Sequence, residues 1–341
     1  MSIPADGRAR VLAAGAVLAF GVAGLAAGAV GTAAADARQT AYRARVHRPL
    51  IVFWDSVISP GHENVRNEIF TVGPHGGHRR RLTFRGESEG PRWGPFGHRI
   101  VYTHRTARGG SQIWVMNRHG GGKRRLSSSG QHSDWAPDFA PNARRVVFVR
   151  WDGRPGGDTD LAIYTFSSHR TTRLHVGSGF RLIAGAPSWS PDGRTIAFTG
   201  ANKLATSDEP QRDLFTVHPD GTGLTQITHT PHWAEDAPSW SPHGSRLVYS
   251  RVGGARAGVF CEELDTIDPN GGSRARVPVG CDALGATWTP GGRRLLADLG
   301  RPRHRGLWST ALDGHHQRFI VSGTGGEWRP RGPRLHFRPG R

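Results

Sequence analysis

One phrase recurs six times along this chain: an aromatic residue, a Pro- or Gly-bearing turn, then an apolar stretch usually opened by a basic residue. It reads Trp93-Gly94-Pro95-Phe96-Gly97, Phe139-Ala140-Pro141-Asn142-Ala143, Trp189-Ser190-Pro191-Asp192-Gly193, Trp240-Ser241-Pro242-His243-Gly244, Trp288-Thr289-Pro290-Gly291-Gly292 and Trp328-Arg329-Pro330-Arg331-Gly332. Successive anchors stand 46, 50, 51, 48 and 40 residues apart. A period of that size is what one four-stranded blade of a β-propeller takes up, so the copies predict an all-β, six-bladed propeller of antiparallel blades.

Each unit keeps the same order of parts. In the best-formed copy, 186–189 reads as an inner strand, Ser190-Pro191-Asp192-Gly193 as a tight turn and 195–198 as a second strand. Proline presets a negative φ there and glycine supplies the positive one. A third strand follows at 213–217, then the turn Pro219-Asp220-Gly221 and a fourth strand at 224–228. Third strands are expected again at 68–72, 112–116, 161–166, 264–268 and 307–312. Fourth strands end at 81–83, 125–127, 173–175, 276–278 and 318–320. No segment holds a helical period. The first strand, 50–54, is of the second type, and the last anchor strand ends at Trp328. If that anchor strand completes the first blade, the ring has no open edge. A surplus segment, 334–338, either takes the place of 50–54 in closure or extends the same blade.

The phrase W-S-P-D-G-x-x-[IL]-x-[FY], followed by an I-F/Y-x-V strand, a D-G turn and an R-L-T strand, resembles the TolB-type, WD40-like propeller repeat. Residues 189–198 with 213–228 are nearly a consensus copy, 240–249 is close, and the resemblance covers about residues 50–338. It implies a propeller scaffold. Proteins of that family carry a separate α/β domain ahead of the ring. Here only 38–49 separate the apolar N-terminal segment from the first strand, so that domain is expected to be absent. Hydrolases with related propellers need an α/β-hydrolase domain with a G-x-S-x-G elbow, for which the chain leaves no room.

The expected domain plan is a helical signal peptide or N-terminal membrane anchor at 1–37, a linker at 38–49 and the propeller at 50–341. Arg8 and Arg10 precede an uncharged run at 11–30, and small residues at Ala33, Ala35 and Ala37 fit a cleavage site. Export to an extracellular, cell-surface or periplasmic location follows. Cys261 and Cys281 agree with it, since an oxidising compartment lets them pair; the alternative is two buried thiols.

Formal net charge is +18, which raises polyanions as partners. The 45 basic residues are all Arg except Lys123 and Lys203, and they are scattered through every repeat rather than gathered in one tail. That scatter favours a solvated basic surface and no specific nucleic acid.

Propellers place ligands at a channel mouth, so the loops leading into the inner strands come first. Glu89, Asp134, Asp236 and Asp282 stand there, where converging carboxylates can hold a cation or a basic group; the simpler reading is hydrogen bonding that caps each strand. His229, His232, Glu235 and Asp236 have the residue types of a transition-metal site in a loop, a pattern that 18 histidines also produce by chance. The acidic, glycine-rich stretch at 152–160 lacks the spacing of a calcium loop. No serine sits in an elbow, and no triad order is preferred. The anchors Trp93, Phe139, Trp189, Trp240, Trp288 and Trp328 read as structural, and the unequal loops 151–159 and 202–211 as binding positions. The function expected is an exported, non-catalytic, monomeric scaffold binding a protein or cell-envelope partner without a cofactor. Contact with the membrane would come only through an uncleaved N-terminal segment. The alternative is a secreted lyase or hydrolase acting on carbohydrate or lactone, with a divalent metal at the channel mouth.

Overall fold

The computed structural model describes residues 50–58, 65–107, 109–127, 132–154, 159–174, 176, 180–182, 186–202, 212–231, 233–256, 259–301 and 304–330. The targeting segment, the linker, 334–338, His232 and most of the loop 202–211 lie outside them. Every described regular element is a strand, and the strands form six antiparallel sheets.

Blade 1 is Thr324–Trp328, Ile51–Ile58, Val65–Val72 and Arg80–Arg81, from the channel outward. Blade 2 is Ser88–Trp93, Arg99–Arg105, Ser111–Asn117 and Arg124–Arg125. Blade 3 is Ser133–Phe139, Arg145–Trp151, Thr159–Thr165 and Arg170–Leu174. Blade 4 has its inner strand in two pieces, Phe180–Leu182 and Ser188–Trp189, both paired with Ile196–Asn202; Asp213–Val217 and Thr225–Gln226 complete it. Blade 5 is Trp233–Trp240, Leu247–Arg256, Val259–Ile267 and Ala275–Val277, and blade 6 is Ala283–Trp288, Arg294–Gly300, Arg305–Ala311 and Arg318–Val321. The last anchor strand closes the ring on the first, with Ile51 opposite Trp328 and Val52 opposite Glu327.

The core is divided among six blade–blade interfaces, because successive side chains of a strand point to opposite faces of its sheet. In blade 3, Val146 and Phe148 pack with Val101 and Ile113 of blade 2, while Val147 and Val149 pack with Ile196 and Phe198 of blade 4. Each anchor fills the interface with the preceding blade: Trp93 meets Val52 and Ile69, and Trp189 meets Val147 and Leu161. Trp328 packs with Leu296 and Leu307, so the closing interface is built like the other five.

The repeat's polar letters hold its turns. The Ser190 hydroxyl donates to Asp192 at 2.6 Å and accepts from the Thr195 amide at 2.9 Å, while Asp192 also accepts from the Arg194 amide at 3.0 Å. These bonds, the serine's foremost, hold the Asp192 carboxyl below the ordinary carboxylate range. Gly193 takes a φ of 73°, where a side chain would also press on Pro141. The hydroxyl of the R-L-T strand accepts an amide of the third strand: Ile69 to Thr83 at 2.9 Å, Ile113 to Ser127 at 2.9 Å and Leu214 to Thr228 at 2.8 Å. The arginine or glutamine two residues earlier reaches a third-strand acid, as in Arg81 to Glu68 at 2.7 Å and Gln226 to Asp213 at 3.0 Å. Cys261 and Cys281 are bonded, tying blade 5 to the segment that leads into blade 6.

A central cavity at the anchor face

The inner strands of all six blades run toward one face, which carries the Pro turns of blades 2 to 6 together with Pro330 and is called the anchor face below. A cavity of about 550 Å³ lies there on the ring axis, and every blade contributes its anchor and its turn proline, from Trp93 and Pro95 to Trp328 and Pro330. Phe96 also lines it and is 44% exposed, where the best-formed copy has Asp192.

The residue before each anchor also reaches this cavity: Arg92, Asp138, Ser188, Ser239, Thr287 and Glu327. Because the blades are arranged radially, these positions touch across blade boundaries. The Glu327 carboxylate accepts the amide of Trp93, Asp138 that of Trp189 at 2.8 Å, and the Ser188 hydroxyl that of Trp240 at 3.4 Å. The Ser239 carbonyl accepts the Trp288 indole N–H at 3.0 Å, and the Thr287 hydroxyl donates to the Gly326 carbonyl at 3.0 Å. At the sixth boundary the position is held by Arg92, whose side chain has no acceptor to offer.

The ring is chemically divided. Blades 1 to 3 supply Glu327, Arg92 and Asp138, and blades 4 to 6 supply three hydroxyls. Burial pushes the Glu327 carboxyl up to about 8, with Asp138 adding to the rise and Arg92 opposing it. Burial likewise lifts Asp138 to about 6, against the Trp189 amide and Arg92. Near neutral pH the wall therefore offers a protonated acid, a carboxylate and a guanidinium beside aromatic and proline surface. Such a lining suits a polar group carried on an apolar segment.

The acids expected at a mouth lie at the other end of the inner strands. Asp134 is bound by Arg150 through two bonds of 2.8 and 2.9 Å, and Glu89 pairs with Arg105 at 3.0 Å. Asp236 takes the Ala237 amide at 2.7 Å and Arg212 at 3.3 Å, and its carboxyl is raised chiefly by burial. Asp282 is exposed, with a φ of 64°. Of the candidate metal set, Glu235 is buried against Thr228 and Thr230, with its carboxyl raised to about 7 by burial, whereas Asp236 faces Thr199 and Arg212. Neighbours on a strand point to opposite faces, so these two do not converge. His229 is exposed. Among the described residues no group of three His, Cys, Asp or Glu is placed to hold a metal ion.

Arg92, Asp138 and Glu327 escaped the reading of the sequence. Their signal was positional: serine or threonine precedes the anchor in three copies, and a charged residue in the other three.

No protein-family model matches the chain. The Tol-Pal system protein TolB of Gluconobacter oxydans is 29% identical over 239 residues, covering 69% of this chain and 49% of that protein. A TolB homolog of Chlorobium luteolum is 29% identical over 175 residues, 50% of this chain and 35% of its own length. The chain thus spans half or less of these curated relatives. Among solved structures, TolB from Acinetobacter baumannii superposes with a TM-score of 0.66 at 14% identity, covering 83% of this chain and 67% of that one. At that identity the likeness is one of fold.

Proposed function

The chain is a six-bladed propeller of the TolB type, and from that premise we propose that it is an exported, non-catalytic scaffold that receives a protein or cell-envelope partner at the anchor-face cavity. The observation that carries this reading is the cavity itself, walled by all six blades and lined on one half by two acids and a guanidinium. A propeller closed on its own first strand is stiff, so a partner meets a preformed surface and ordering costs little on this side. The aromatic and proline walls with the exposed Phe96 offer apolar contact, and Glu327, Arg92 and Asp138 offer orientation. The name of the Gluconobacter relative, a Tol-Pal system protein, and the basic and apolar N-terminus support an envelope setting.

Cross-linking with a photoreactive residue in place of Phe96 in the full chain, expressed in cells, tests both parts. We expect one discrete adduct outside the cytoplasm, lost on Arg92→Glu. An adduct pattern indifferent to Arg92→Glu, or a purely cytoplasmic chain, would sink the proposal.

A further inference from the structure

Many of the arginines that lie scattered along the sequence, those of the turns, are gathered by the fold. The first-to-second turns of blades 2 to 6 and the third-to-fourth turns of all six blades lie on the anchor face, and the inner turns hand over to the next strand with a basic residue: Arg99, Arg145, Arg194, Arg246 and Arg294. Repetition in sequence becomes coincidence in space.

The distribution around that face is uneven. In the described turns its carboxylates are Asp192, Asp220, Asp268 and Asp313, all in blades 4 to 6. In blades 1 to 3 other residues replace them: His75 and Phe96 follow the turn prolines, Asn142 takes the third position, and Gly120-Gly121-Gly122 and Ser167-Ser168-His169 make the outer turns. Asp192 and Asp220 are moreover engaged with their own turns, through Ser190 and Thr222.

Beside Arg79, which pairs with Asp55 at 2.8 Å, seven further cations in and next to these turns form an arc over blades 1 to 3. Arg80 reaches across to the His119 carbonyl at 3.3 Å, Arg118 meets the His119 ring at 2.9 Å, and Arg124 meets both Tyr164 and His169 of blade 3 at 3.5 Å. Arg99 lies over the Phe166 ring at 5.2 Å. Lys123, Arg144 and Arg170 are exposed along the same arc. These partners are carbonyls, hydroxyls and rings, none of which cancels charge. Neighbouring charge adds to burial here: His119 is held down by burial, then by Arg118 and Arg80, and Arg329 by burial and then Arg118.

We propose that the sector of the anchor face outside the cavity in blades 1 to 3, whose turns carry no carboxylate of their own, binds a linear phosphate polymer. The planar guanidinium fork meets phosphate oxygens in two parallel bonds and stays charged at every physiological pH. A row of such forks along three adjacent blades matches repeated charge better than a single ion. A folded acidic protein fits less well, because such interfaces centre on buried apolar anchors. Among the described residues the one large hydrophobic exposed on this half is Phe96, at the cavity and not on the arc. This inference does not rest on the cavity reading, since its residues lie outside the cavity wall.

The test is fluorescence anisotropy of end-labelled inorganic polyphosphate with the full chain in non-ionic detergent, over a salt series. Binding should weaken with salt at a slope of about −0.7 for each phosphate engaged. Arg118→Glu with Arg124→Glu should weaken it about tenfold or more and flatten the slope. Arg118→Gln with Arg124→Gln, which spares the fold from new charge, should move it the same way. Arg194→Glu with Arg293→Glu, on the other half, should leave it within about threefold. Equal losses from both glutamate pairs would overturn the proposal in favour of a diffuse field. Equal binding of poly-glutamate of matched charge would overturn the phosphate assignment. Oligothymidylate bound tenfold tighter than polyphosphate would assign the arc to nucleic acid instead.

Discussion

Glu327 and Asp138 are acids placed where water is scarce, and their protons report on that placement. An unfolded glutamate ionises near 4.5, while folding moves the Glu327 carboxyl to about 8. Between those values the folded chain binds more protons than the unfolded one, so stability falls as pH rises through the window. Glu327→Gln carries no such charge at any pH. Relative to the parent, its stability should therefore gain roughly 1–2 kcal/mol between about pH 5 and about pH 9, a discounted figure because the channel wall is partly wet. Urea unfolding at the two pH values measures this, and parallel profiles for parent and variant would show that the carboxyl is not desolvated. The residue identity was plain in the sequence. Its environment was not, because the amide of Trp93 that Glu327 accepts is 234 positions away.

Strands and turns were the most legible scale. The Ser-Pro-Asp-Gly letters encode a turn whose bonds all fall within six residues, from Ser190 to Thr195, and the structure forms it as read. The R-L-T strand was read as a strand, although the regular strand is shorter, Thr225–Gln226 in blade 4. Its threonine serves a different purpose from pairing, capping the third strand from the side. Thr228 accepts from Leu214 at 2.8 Å and donates to the buried Glu235 at 2.8 Å. Thr228→Val keeps the shape and removes both bonds, and should cost about 2 kcal/mol in chemical denaturation. A loss below about 0.5 kcal/mol would mean that these groups find other partners. The inner strand of blade 4 was expected as one piece ending at Trp189. It is formed at Ser188–Trp189, and Phe180–Leu182, which the expected 186–189 did not include, pairs with the same second strand.

At the scale of the whole molecule the ring holds only if its ends meet. Removing the chain from Thr324 onward strips Ile51–Ile58 of its inner partner and takes Trp328 out of the closing interface. Such a chain should lose its single cooperative unfolding transition and expose a sheet edge prone to self-association. An unchanged midpoint and monomeric elution would show that closure contributes little. The sequence by itself determined the number of blades, the place of every anchor and the chemistry of the turns, because each is spelled by letters that recur within one repeat. Only the tertiary structure decided which end of the channel carries the cavity, which residues charge its wall and that dispersed arginines share one face. Those properties arise between repeats, when identical positions dozens or hundreds of residues apart are brought side by side around an axis.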